Sequence, residues 1–155
     1  MPIEQDIQQE LIRQFPALAE HVTVKRARRI TAIVPYAQFR QVFNFLADTV
    51  NFTILVTITG LDEGENLSAI YHLAQETGLI LDLKTSVPAA NPVVHTVSDR
   101  FPAADIYERE LVDLLGMRVE GLKPGRRYPL PDTWPVEDHP LRKAWKPKDT
   151  DTQPA

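Results

Sequence analysis

The 155-residue chain contains no cysteine. That absence excludes disulfides, a thiol nucleophile, zinc ribbons, cysteine-ligated iron–sulfur clusters and c-type haem attachment. Long apolar runs are missing too. No stretch approaches the about 18 residues a membrane-spanning helix needs. The opening MPIEQDIQQE lacks the basic and apolar regions of a signal peptide, so a cytoplasmic location is the expectation. Glycine is scarce: the six residues are scattered and form neither a phosphate-binding loop nor a dinucleotide fingerprint. No G-x-S-x-G elbow is present. The histidines, His21, His72, His95 and His139, do not fall in metal-pair spacing on any predicted helix. These gaps remove most catalytic classes before any residue is interpreted positively.

The chain does have an uneven distribution of charge and proline. Residues 1–120 carry 10 Lys/Arg against 16 Asp/Glu, whereas residues 121–148 carry 7 against 3. Seven of the 13 prolines follow residue 120. Proline lacks an N–H and restricts the residue before it, so this basic segment cannot form regular helix or central strand. It contains Tyr128, Leu130, Trp134, Leu141 and Trp145, residue types that disordered tails usually lack. The expectation is a body at 1–120, an extended basic arm at 121–148 that packs on the body or on a partner, and a disordered tail at 149–155. The net charge of −4 argues against nucleic acid as the partner.

Periodicity predicts the elements of the body. Ile3, Ile7, Leu11, Ile12 and Phe15 mark a helix over 3–15, ended by Pro16. HVTVKR (21–26) and RITAIVP (29–35) read as two strands with a tight connection. Tyr36, Phe39, Val42, Phe43 and Leu46 form the apolar stripe of a helix over 36–48. Strands follow at 52–59, 67–74 and 79–86, with 60–66 (GLDEGEN) as an acidic turn and a loop bounded by Pro88 and Pro92. The order α-β-β-α-β-β-β defines an α+β two-layer sandwich with a mixed sheet. A third helix is predicted over 102–116, opened by Pro102 and closed by Gly116.

On that third helix, Glu110 falls inside the arc running from Ile106 through Leu114 and Tyr107 to Leu111. A carboxylate there costs several kcal/mol unless paired or protonated. Arg126 and Arg127 are the predicted partners, because a guanidinium can grip a carboxylate with two bonds. Alternatives are a tilt that lets Glu110 reach water, or a catalytic carboxylate. Arg109 and Asp113 are i,i+4 neighbours suited to a surface pair. Asp62-Glu63-Gly64-Glu65 lacks calcium-loop spacing and reads as a solvated turn.

Two stretches resemble a known family. ERELVDLLGMRVEGL (108–122) and GRRYPLPDTWPVEDHPLRKAW (125–145) are similar to the 30-kDa subunit family of respiratory complex I, NADH:quinone oxidoreductase. They also resemble its counterparts in membrane-bound energy-converting [NiFe] hydrogenases, the branch they look closest to. The resemblance rests on Glu108, Arg109, Glu110, Asp113, Leu114 and Gly116, then on Arg126 and Arg127, then on Pro140, Leu141, Arg142 and Lys143. NPVVHTVSDRFPAADIYERE (91–110) resembles the family's lead-in. Where complex I members commonly have an aromatic before the helix-ending glycine, this chain has Leu115, and the run from Arg127 to Trp134 is closer to the hydrogenase branch.

The resemblance implies a subunit without cofactor or catalytic site of its own, within an oxidoreductase that couples electron transfer to ion translocation. Its partners would be the large catalytic subunit, bearing a quinone pocket or a nickel–iron centre, and neighbouring iron–sulfur subunits. It would lie peripheral to the inner face of the membrane, touching it only through the complex. The partner-binding set would be Glu108, Arg109, Glu110, Asp113, Arg126, Arg127, Tyr128, Trp134, Pro140, Leu141, Arg142, Lys143 and Trp145, rich in the Arg and Trp typical of interface hot spots. Two other classes stay open. One is a free-standing adaptor whose arm binds an acidic partner. The other is an enzyme using Glu108, Glu110 and His139 for acid–base work.

Overall fold

In a computed structural model, residues 3–147 are described. The elements are α1 (Ile3–Gln14), β1 (Val22–Arg26), β2 (Arg29–Ile33), α2 (Tyr36–Asp48), β3 (Ile54–Asp62), β4 (Asn66–Ala74), β5 (Ile80–Pro88), β6 (Val93–His95), α3 (Ala104–Leu115) and β7 (Arg118–Glu120), with one 3-10 turn at Pro16–Leu18. Alternation of side chains along each strand builds a sheet with two unlike faces. Val22, Ile30, Ala32, Ile58, Leu67, Tyr71, Leu73, Leu81 and Leu83 are buried on one face beneath the helices. The opposite face carries Arg29, His72, Asp82 and Lys84. There Asp82 receives Arg29 at 3.0 Å and His72 Nδ1 at 2.7 Å.

The sheet order is β1-β2-β5-β4-β3. β2 and β5 run parallel and the other neighbours antiparallel, so the sheet is mixed. Aromatic side chains tie the helical layer to it. Phe39 lies 4.6 Å from Tyr71 and Phe43 lies 5.6 Å from Phe101, ring centre to ring centre. The predicted α+β two-layer sandwich is therefore the observed fold.

Boundaries differ in three informative places. β3 runs on through Gly60 to Asp62, pairing Gly60 with Ala69, so the turn shrinks to three residues. Gly60 is needed there because α3 crosses above it: a Cβ would come within 2.2 Å of Leu115 Cδ1 and 2.7 Å of Leu111 Cδ2. The loop expected after Pro88 contains β6, which pairs in parallel with β7 on the far side of α3. Helix α3 starts at Ala104 rather than 102. It ends at Gly116, whose φ of 71° is left-handed and whose N–H caps the helix by bonding the Leu111 and Val112 carbonyls. The proposed tail at 149–155 and the last residue of the arm lie outside the described residues.

Candidate functional site: the third helix and the C-terminal arm

The apolar stripe of α3 is Ala104, Leu111 and Leu115, with Glu108 among them. Their spacings of four, three and four place all four residues on one face. That face packs on β3. Ile106, taken as the centre of the buried arc, is 43% exposed. The helix is thus rotated relative to the sequence-based wheel, and its three central acids meet three different environments.

Glu108 is fully buried. It accepts hydrogen bonds from Thr96 Oγ1 at 2.5 Å and from the Val97 N–H at 2.7 Å. Burial pushes its pKa up, and these two bonds only partly offset that rise. Glu110 is half-buried and makes no hydrogen bond or ion pair among the described residues. Burial alone raises its pKa. Asp113, on the side away from the sheet, receives Arg127 Nε at 2.6 Å and the Leu130 N–H at 3.0 Å. Its side chain is only 8% exposed because the arm covers it.

Two predicted pairings are therefore corrected. The carboxylate that anchors the arm is Asp113, with Arg127, rather than Glu110. Arg109 pairs with Asp105 through two bonds of 2.7 and 3.0 Å, not with Asp113, and also donates to the Lys123 carbonyl at 2.8 Å. The physical reason is the helix phase. Asp105 and Arg109 share the flank that the start of the arm crosses, leaving Asp113 for Arg127. Arg126 is exposed and unpaired among the described residues.

A second anchor lies at the far end of the arm. Asp62 accepts Arg142 Nε at 3.0 Å and the Lys143 N–H at 2.9 Å. It also accepts the Gly64 N–H at 2.9 Å, within the turn after β3. The two backbone N–H groups, with Arg142 beside them, hold its pKa below the usual carboxylate range. The acidic turn is thus no freely solvated loop: Asp62 is committed to the arm, and Glu63 to Lys84 at 2.5 Å. Arg142 also reaches the Leu115 carbonyl at 3.3 Å, a favourable place for a cation at a helix C-terminus. Asp62 could not be singled out from the sequence, because its partner is 80 residues away.

Between these anchors the arm has no helix or strand, as its prolines require. It folds on itself. Trp134 and Trp145 stack with centroids 6.3 Å apart, and both indole N–H groups donate to Asp138, one to its carbonyl and one to its carboxylate. His139 Nδ1 donates to the Asp113 carbonyl at 2.9 Å and the ring lies over Gly116, where any Cβ would come within 2.6 Å of it. Leu141, next to half-buried Pro140, is exposed, though its N–H bonds the Leu114 carbonyl at 2.9 Å. Tyr128 and Lys143 are exposed as well. The arrangement joins a basic strap to the body through two carboxylates. Glu108, Glu110 and His139 have separate surroundings: Glu108 is held by Thr96 and Val97, His139 by the Asp113 carbonyl, and Glu110 makes no hydrogen bond among the described residues. Among the described residues no group of three or more His, Asp or Glu side chains is placed to hold a metal ion.

A family described as the respiratory-chain NADH dehydrogenase 30-kDa subunit matches residues 32–151. This chain belongs to that family. It is 32% identical over 145 residues to the C-type subunit of the NADH-quinone oxidoreductase of Moorella thermoacetica, covering 89% of this chain and 92% of that one. It is 27% identical over 141 residues to the corresponding subunit of the F(420)H(2) dehydrogenase of Methanosarcina mazei, covering 89% of each. It also matches the C/D-type subunit of the NADH-quinone oxidoreductase of Rhodopseudomonas palustris at 32% identity over 114 residues, 66% of this chain, but spans only 19% of that longer protein. Among solved structures, a chain of the membrane-bound sulfane sulfur reductase, an archaeal respiratory membrane complex, superposes with a TM-score of 0.81 at 26% identity. That match covers 92% of this chain and 85% of the other. The relatives are thus subunits of NADH-quinone oxidoreductases and of an F(420)H(2) dehydrogenase, and the solved structure is that of a membrane-bound respiratory complex. Among the described residues of this chain, no helix is long and apolar enough to cross a membrane.

Proposed function

We propose that this chain is a non-catalytic subunit of the hydrophilic part of a membrane-bound redox complex, of the NADH:quinone oxidoreductase or energy-converting hydrogenase type. In this reading the body at 1–120 is a scaffold. The arm at 121–148 is the surface that packs on, and stabilises, the large catalytic subunit during electron transfer coupled to ion translocation. Neighbouring iron–sulfur subunits complete its surroundings, at the inner face of the membrane.

The observation that carries this reading is the state of the arm. Arg127 and Arg142 are spent on Asp113 and Asp62, which hold the arm in a defined shape. Arg126, Tyr128, Val136, Leu141 and Lys143 stay exposed along it. A chain that orders an arm while leaving its aromatic, aliphatic and Arg side chains in water presents the chemistry of an interface.

The test is a tagged pull-down from gently solubilised membranes, with co-purifying chains identified by mass spectrometry. Recovery of a large catalytic subunit with iron–sulfur proteins is the expected result, and their identities assign the branch. Recovery of this chain alone would overturn the reading.

A further inference from the structure

Strand β3 forms one edge of the five-stranded sheet. Edge strands expose unpaired N–H and C=O groups and are normally guarded by Lys, Pro, inward charges, bulges or a covering element. The other edge, β1, follows that rule: it is five residues long, contains Lys25 and Arg26, and packs against α1. β3 carries lighter protection along its length: from Ile54 to Leu61 its sequence is ILVTITGL, without a charge or a proline. Ile54, Val56 and Leu61 are 43%, 44% and 39% exposed. Helix α3 packs against β3 at Gly60, and a bulge falls between Leu55 and Thr57, which leaves Thr57–Leu61 as an uninterrupted run. The far end is sealed at Asp62 by Arg142 and Lys143.

Beside that run lies a groove of about 200 Å³. Thr57, Thr59 and Gly60 form one wall, Leu114 and Leu141 the other. Glu110 is the one charged residue lining it, and it is unpaired. A carboxylate half-buried among leucines is complemented by a cation. The nearby guanidiniums of this chain, Arg127 and Arg142, are already committed elsewhere.

We propose that an extended segment of a partner subunit pairs with the β3 edge along Thr57–Leu61 and lays a lysine or arginine into the groove against Glu110. Strand addition supplies affinity through the backbone, and the side-chain groove supplies selectivity. The occupant is a different chain rather than a second copy. Pairing β3 with β3 about a two-fold axis would bring two Glu110 carboxylates to the same seam, and ILVTITGLD offers no cation to either. This inference rests on the assembly role proposed above, since it takes its partner from the same complex.

The experiment is hydrogen–deuterium exchange on peptides covering 54–61, in the isolated full-length chain and in the complex purified through a tag on it. Exchange is expected to slow at least tenfold in the complex. Glu110→Lys should abolish that protection and cut the yield of complex several-fold, with an unchanged melting temperature for the isolated chain. Glu110→Gln, which keeps the shape of the side chain, should lose part of the protection. Unchanged exchange of 54–61 in an intact complex would overturn this inference and leave the assembly role standing. Protection already present in an isolated chain of twice the monomer mass would make the occupant a second copy and overturn it as well. Failure to recover any complex would sink the assembly role and this inference together.

Discussion

In the body, Leu11, Phe43, Leu46, Phe52 and Tyr71 are sealed from water. Over residues 121–147 no residue reaches that degree of burial. Instead the arm is attached through Asp113 and Asp62, each accepting an arginine and a backbone N–H. The body is therefore held mainly by apolar area, which carries no charge to titrate or screen. The arm is held by charge-assisted hydrogen bonds, which are directional and sensitive to pH and salt. The strap's attachment is therefore expected to loosen before the platform unfolds.

The strongest way to break this contrast is to attack the platform. Phe43→Ala removes a ring packed on Phe39, Tyr71 and Phe101 and should cost about 3–5 kcal/mol in urea unfolding. Arm and body should be lost together. Asp113→Ala comes next. It strands Arg127, whose side chain is only 17% exposed, and should cost about 3 kcal/mol of arm attachment, the lower end for a disrupted buried pair. Trypsin cleavage after Arg126 and Arg127 should accelerate more than tenfold while the far-UV melt of the body moves little. Glu110→Ala should leave that cleavage unchanged, because Glu110 does not hold the arm.

Acidity sharpens the same comparison through opposite signs. Asp62 has a lowered pKa in the folded state. Its contribution is present above the usual carboxylate value of about 4 and is lost as pH falls through the folded value. Proteolysis of the arm should therefore rise on acidification, and Asp62→Asn should remove that dependence. Glu108 has a raised pKa, so between its unfolded and folded values the native state holds the extra proton. Body stability should fall as pH rises through that window, and Glu108→Gln should flatten the slope in pH-dependent urea melts. The smallest effect belongs to Arg126→Ala, expected within about 0.5 kcal/mol for the isolated chain since Arg126 is exposed and unpaired. Loss of assembly without loss of stability would be the informative outcome there.

Most of the platform was legible from local pattern. The alternation of LILDLKTS and the stripe Tyr36-Phe39-Val42-Phe43-Leu46 are one-dimensional records of a sheet face and a helix face. The prolines after residue 120 likewise announced an arm without regular structure. β6 and β7 escaped because three residues carry no period, and each finds its partner only across α3. The phase of α3 was readable in principle from Ala104, Glu108, Leu111 and Leu115. A carboxylate in that stripe disguised it, and exposed Ile106 drew the arc to the wrong side.

The sequence by itself determined the α+β layering, the helix stop at Gly116 and the basic, proline-rich character of the arm. These depend on period, on φ and on composition, all of which are local. Only the tertiary structure decided which carboxylate meets which arginine. Asp113 was chosen over Glu110 because Leu111 and Leu115 pack against the bare backbone of Gly60, and that close approach fixes the rotation of the helix. Asp62 became the second anchor because the turn after β3 lies beside the end of α3, and Arg142 spans both. Ion pairs between residues distant in sequence leave no periodic trace in the chain, since their partners are selected by the packing of apolar groups around them.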